Sequence, residues 1–309
     1  MAGTRRRPKR GEGAARATSA ARAAWAGELR ALWTVPVWGA TAAVVAVALA
    51  LVGRLWMAGA SYGVLDPSVS ALASLPSALR AAAWQFATLL GLVLTGVAVA
   101  SGLGQTLEGG TWSALRLFEN RVGVLWARKV GALLALSLAG QIVTGLLLWL
   151  TVSAFARLWP VRPRAVPPGF SGGGAVHTPP PLPVETATWD QAAGAIAGAL
   201  LVQFVFISLA GVAAALLRSV IGTLALGIGP LLVTAPLVML PAAPFLPHRW
   251  IADLLNLPSE AQYQLYFWNQ APPDPSPLTG GLGLAGLAAS AAVAAWAGLR
   301  SERALRPVD

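Results

Sequence analysis

The sequence predicts an all-α integral membrane protein with six transmembrane helices and both termini cytoplasmic, and three observations predict it. Only 11% of the 309 residues are Asp, Glu, Lys or Arg while 56% are apolar, and mean hydropathy is +0.64. A soluble chain of this length needs about a quarter of its residues charged to cover its surface. Six long runs are nearly free of charge, and the basic residues gather in alternate connections. The same arithmetic excludes an ordinary cytosolic enzyme and a disordered chain, and the lack of cysteine excludes a disulfide scaffold. The expected place is a cell membrane, crossed several times, in a bacterial cell.

Residues 1–18 form a basic tail holding Arg5, Arg6, Arg7, Lys9, Arg10 and Arg16, expected to be disordered and drawn to anionic lipid. Arg5 to Arg7 resemble a twin-arginine start, but about 25 polar and Ala-rich residues separate them from the first apolar run, so a cleaved signal is not expected. Over 19–34, Ser19 can cap a helix that places Trp25, Leu29, Leu32 and Trp33 on one face, an amphipathic segment lying along the inner interface.

A hydrocarbon core of about 30 Å takes about 20 residues of helix. Within the membrane domain, 35–299, runs of that order extend from Val35 to Met57, Ser77 to Ser101, Val130 to Val152, Ala192 to Leu217, Ser219 to Leu240 and Gly280 to Leu299. Only Leu217, Arg218 and Ser219 separate the fourth from the fifth, which favours a tight helical hairpin over one long span. Pro230, Pro236, Gly227 and Gly229 predict a kink in the fifth.

Orientation follows from the positive-inside rule. The N-terminal tail, the connection after span two (Arg116, Arg121, Arg128, Lys129), Arg218 and the tail 300–309 (Arg300, Arg303, Arg306) hold most of the basic residues. The opposite face holds Arg80, Arg157, Arg162, Arg164 and Arg249. The net charge of +10 is therefore an asymmetry across a membrane and not the mark of a nucleic-acid reader. Trp33, Trp38, Trp126 and Trp296 fall near inner span ends, and Trp56, Trp84, Trp149 and Trp189 near outer ones, the placement of aromatic belts.

The outer connection 157–189 carries eight Pro and the run Gly172 to Gly174, a composition that buries little. The second, 241–279, offers Trp250, Ile251, Leu254 and Leu255 at helical spacing and then Tyr263, Tyr266, Phe267 and Trp268. A short helix and an aromatic cluster resting on the outer membrane surface are expected there. Inside, the one long connection, 104–129, repeats Trp112, Leu115, Phe118, Val122, Leu125 and Trp126 on a single helical face. It reads as amphipathic helices under the membrane, either a passive support or the surface on which a soluble partner pushes.

Absences narrow the function. No Asp, Glu, His or Lys lies deep within a predicted span, and Arg54 is near enough to an outer end to snorkel. A proton-driven carrier and an intramembrane hydrolase are both disfavoured, since His177 and His248 lie in outer connections. The phosphate-loop pattern GxxxxGK[ST] is missing, so the chain is expected to hold no ATP, no metal and no catalytic residue of its own. Gln85, Gln141, Thr144 and Gln203 can bond between helices or line a translocation path, with Thr95, Ser208 and Thr234 as further interhelical donors. Gly194 and Gly198, and Gly280, Gly281, Gly283 and Gly286, permit close helix contact within the chain or across a dimer.

This pattern resembles the permease subunits of ABC exporters of the type 2 class. The likeness rests on topology along nearly the whole chain and on about 20 residues after span two. There Glu108, Gly110 and Thr111, the Leu115–Leu117 helix, Arg121, and either Arg128 or Lys129 stand where the family has an acid, Gly-Thr, a Leu-rich helix, a turn arginine and a basic residue opening span three. Phe118 replaces the usual Pro, and Ala127 and Arg128 leave no Gly before the basic residue. The resemblance implies a separate ATP-binding subunit carrying ATP and Mg, and a second copy of the chain or a related permease. It also implies that Glu108, Gly110, Thr111, Leu115, Arg116, Phe118, Arg121, Arg128 and Lys129 form the coupling surface. In that reading Glu108 caps or tethers the helix start, and Arg121 and Arg128 pair with the partner or with lipid phosphate. The alternative is a membrane anchor or assembly protein that transports nothing. A membrane enzyme would have only Asp66, Asp190 and Asp253 on the outer side to work with.

Overall fold

The computed structural model describes residues 26–27, 30, 35–62, 67–119, 121–160, 186–234, 246–256 and 276–301. The tail 1–18, most of 19–34, the Pro-rich stretch 161–185, residues 235–245, the aromatic stretch 257–275 and the tail beyond 301 lie outside them. The expected disorder of the tail, the Trp25 face, Pro236 and the aromatic run Tyr263 to Trp268 therefore fall outside the described residues. The described residues are helical wherever they are regular, with no strand among them.

The helices are α1 (Val35–Tyr62), α2 (Pro67–Ala71), α3 (Leu75–Phe86), α4 (Leu89–Val99), α5 (Gln105–Glu108), α6 (Thr111–Phe118), α7 (Val122–Leu158), α8 (Trp189–Leu217), α9 (Val220–Thr234), α10 (Pro247–Leu255) and α11 (Pro277–Arg300). A π-helical turn, Ala100–Gly104, joins α4 to α5. Four helices are long and apolar enough to cross a membrane: α1, α7, α8 and α11. A fifth crossing results if the bent pair α3 and α4 is taken as one span. Within the described residues α9 has 15 residues, too few to test the expected span from Ser219 to Leu240.

The centre of the bundle is α8, which packs against α3, α4, α7, α9, α10 and α11. Its buried face is largely alanine and glycine, and this lets neighbours approach closely. A Cβ on Gly211 would fall 2.4 Å from the Trp126 indole of α7. At its C-terminus α8 turns sharply: Arg218 adopts left-handed backbone at φ 52°, and α9 runs back along α8 with Gly227 against Ala210. The two bracketing helices thus form the expected hairpin.

Contacts sort the helix ends into two groups. At one end Trp56 donates to Trp159 O (3.2 Å), Trp149 to Ala73 O (3.1 Å), and Ala187 N–H to the Ser77 hydroxyl (2.8 Å). At the other, Glu108 meets the start of α9, Trp112 meets the end of α11, and Gly298 lies against Ala215.

Two features differ from the expectation. The second predicted span, Ser77 to Ser101, is not one helix: it breaks at Ala87 and Thr88 and bends by 57°. Thr88 leaves helical backbone (φ −99°, ψ 177°), and its hydroxyl turns back to Gln85 O at 2.7 Å. Gly91 allows α4 to begin against the end of α3, because a Cβ there would fall 2.2 Å from Phe86 O. Helix α10 is also not a surface helix. Ile251, Ala252, Leu255, His248 and Asp253 are buried where α10 wedges between α8 and α11. Glycines make the room: the carbonyl of Trp250 lies 2.5 Å from a Cβ placed on Gly280, its indole 2.7 Å from one on Gly283, and Leu255 2.8 Å from one on Gly198. These glycines therefore serve contact within the chain, whereas Gly194 and Gly286 meet nothing within 4 Å.

The tryptophans divide likewise. Trp189 and Trp296 are exposed as belt residues would be, but Trp56 and Trp126 are buried packing groups, and Trp84 sits half-buried under the Arg80 guanidinium at 4.5 Å. Trp33 and the Trp38 side chain lie outside the described residues.

Candidate functional site

The connection after the second predicted span forms a built corner. Helix α5 ends at Glu108, Gly110 turns the chain with left-handed backbone (φ 69°), and α6 follows. The Thr111 hydroxyl donates to Thr106 O (3.1 Å) and the Ser113 hydroxyl to Gly110 O (2.8 Å), fixing the turn from both sides. Trp112 is fully buried and donates its indole N–H to Leu299 O at 3.3 Å, satisfying one of the carbonyls left open at the end of α11. Leu115 packs on the cluster of Trp112, Val122, Leu125 and Trp126. Leu117, on the opposite side of α6, is 86% exposed. Arg116 is half-buried, and its Nη1 has no hydrogen-bond partner among the described residues. Phe118 closes α6, its side chain outside the described set.

One expected role changes. The Glu108 carboxylate does not serve its own helix corner: it accepts from Val220 N–H at 2.9 Å, at the start of α9. A helix N-terminus offers unpaired N–H groups and partial positive charge, so an acid from a neighbouring turn is a natural cap. Arg128 has an acid beside it within the chain, its Nη2 lying 3.7 Å from Glu119 Oε2. At 28% exposure on each side that pair is screened and contributes little. Glu119 also accepts from Arg121 N–H (3.2 Å), leaving the Arg121 side chain exposed at the start of α7. Lys129 is buried at 8% exposure and has an interaction partner.

Three of the four predicted path residues fall into two groups. Gln203 spans the break in the second predicted span, donating to Phe86 O and accepting from the Thr95 hydroxyl, which also bonds Gly91 O at 3.0 Å. It replaces a helical bond the break removes. Gln141 and Thr144 share the buried face of α7, where Gln141 donates to the Ser137 hydroxyl at 3.2 Å. Gln85 is half-buried on α3 and joins neither group through its side chain.

Sequence reasoning missed the polar side of α10. Arg249 Nε lies 2.9 Å from Asp253 Oδ1 and donates to Oδ2 at 3.0 Å, and His248 is buried beside them at 2% exposure. The Gly280-x-x-Gly283 spacing was the signal that a helix would seat there. Among the described residues no three of His, Asp and Glu gather to hold a metal ion.

Comparison with protein-family models, curated proteins and solved structures found no match.

Proposed function

We propose that the chain is the permease subunit of an ABC exporter of the type 2 class, with six spans and both termini in the cytoplasm of a bacterial cell. It works in the cell membrane with a separate ATP-binding subunit and a second permease chain. The observation that carries this reading is the fastening of α6. Trp112 ties it to α11, Glu108 at the preceding turn touches α9, and two residues beyond Glu119 the chain enters α7. A push on α6 would therefore reach α7, α9 and α11 at once. Leu117 and Arg121 remain exposed on the same corner, an apolar and a cationic group for a partner to grip. ATP-driven closure of two partner subunits would move two such corners, switching the permease pair between two packings as rigid bodies.

The test is a search of the neighbouring genes for a soluble phosphate-loop protein, followed by co-expression of any such protein with this chain. The pair should co-purify, and Leu117→Asp with Arg121→Glu should abolish both co-purification and stimulated ATP hydrolysis while leaving the chain folded. Retention of both by the double variant would remove the corner from the mechanism. A partner that binds without hydrolysing ATP would instead favour a membrane anchor or assembly protein.

A further inference from the structure

The middle of the bundle holds polar atoms that its own architecture leaves unserved. Among the described residues Gln141 Oε1 and Thr144 Oγ1 have no hydrogen-bond partner, and the two residues are 0% and 1% exposed. Both lie near the centre of α7, whose 37 residues run from Val122 to Leu158. In an apolar medium an unmet amide oxygen or hydroxyl is costly, and such groups within a span mark sites that bind something. Gly140, next to Gln141, lies against the Phe86 ring at the end of α3, and Gly145, next to Thr144, lies against Leu79, so the pair runs back along α3 from the break. Discontinuous helices at mid-bundle are places where transported molecules are held.

The surroundings limit what could bind. The facing surface of α3 is apolar: Phe86 lies against Gly140, Leu79 against Gly145, and Ala78 and Ala82 are fully buried in the cluster that takes in Leu148 and Val152 of α7. The nearest ionisable residues along α7, Lys129 and Arg157, are about 18 and 24 Å away at the rise of a helix. Arg80 of α3 is turned onto the Trp84 ring. An acceptor and a hydroxyl without a nearby charge suit a neutral hydroxyl or amide, and the Leu79, Ala82 and Phe86 side chains suit an apolar remainder.

We propose that Gln141 and Thr144 form the subsite for the uncharged polar group of an amphiphile that the protein moves. The assignment rests on the permease reading for its transport role, but binding itself can be measured on the chain alone. The full chain in phosphatidylcholine nanodiscs is labelled with three diazirine probes of equal chain length: a monoacylglycerol, a fatty acid and an alkylamine. The monoacylglycerol should label the facing segments of α3 and α7 most, and excess unlabelled monoacylglycerol should suppress that labelling. Gln141→Leu with Thr144→Val should lower it about tenfold, the loss expected for two hydrogen bonds. Because that double variant replaces unmet polar atoms by apolar ones of similar size, it should unfold no more readily than the parent. Equal labelling by all three probes, labelling elsewhere, no labelling, or labelling unchanged in the double variant would each overturn the subsite. Labelling as expected without any ATPase partner would retain the site and remove the permease reading; a stimulated ATPase without labelling would do the reverse.

Discussion

Gln203→Leu offers a direct measure of what holds the broken span. The substitution keeps the side-chain volume nearly constant and removes both the donor to Phe86 O and the acceptor for Thr95. Thr95 keeps its bond to Gly91 O at 3.0 Å, so the one group stranded is the Phe86 carbonyl. A buried carbonyl left unpaired costs about 1–3 kcal/mol. Hydrogen bonds between membrane helices average lower, at about 0.6 and up to about 1.7 kcal/mol, because the unfolded chain in lipid also finds partners. The expected loss is therefore about 1–2 kcal/mol, a roughly five- to thirtyfold shift towards the unfolded state. Steric-trap or SDS unfolding in bicelles reads it. Thr95→Val should cost about 1 kcal/mol by stranding Gln203 Oε1, and the double variant should cost less than the two together by about that amount. Strict additivity, or a neutral Gln203→Leu, would refute the view that this amide replaces the missing helical bond.

Other outcomes follow from the same packing. Trp112→Ala empties a fully buried site and should destabilise the corner by about 3–5 kcal/mol, whereas Trp112→Phe, which loses only the indole bond to Leu299 O, should cost about 1 kcal/mol; limited proteolysis between 104 and 121 separates them. Glu108→Ala should lower stability by about 1 kcal/mol through loss of the α9 cap, measured as a drop in unfolding temperature, and Glu108→Asp should recover part of it if the shorter arm still reaches. Gly283→Ala should cost about 1–3 kcal/mol because its Cβ meets the Trp250 indole at 2.7 Å, while Gly286→Ala, with nothing within 4 Å, should leave unfolding unchanged.

Long apolar runs are legible because a span must be both long and nearly uncharged, so α1, α7, α8 and α11 could be read directly. The α8–α9 hairpin was legible from the three residues between them, and α6 from its helical spacing. The break at Thr88 was not legible: Ala87 and Thr88 sit in an apolar run, and the group that stabilises the bend, Gln203, lies 117 residues from Phe86. The same holds for Glu108, whose natural assignment is to its own turn but whose contact is 112 residues on. Helix α10 shows a further limit. Its periodicity announces a helix with an apolar face, but in a membrane protein lipid and bundle interior are both apolar, so the pattern alone does not say which one that face meets. Gly198, Gly280 and Gly283 decide it, through the close approach that only a missing side chain allows.

The central place of α8 bears on how the chain is assembled during synthesis. The helices made before it, α1 to α7, bury one face of α3 and α7 against each other, but the largest remaining contacts of α3, α9, α10 and α11 are with α8 or with one another. Until residue 217 has left the ribosome, the α8-facing alanine of α3, Ala83, and the Trp126 indole of α7 have nothing to close on. The nascent chain thus carries its first spans as loosely held pieces that a membrane chaperone or protease could seize. Emergence of one alanine-rich helix converts them into a bundle, which makes translation through that segment the step at which this protein is committed to its fold.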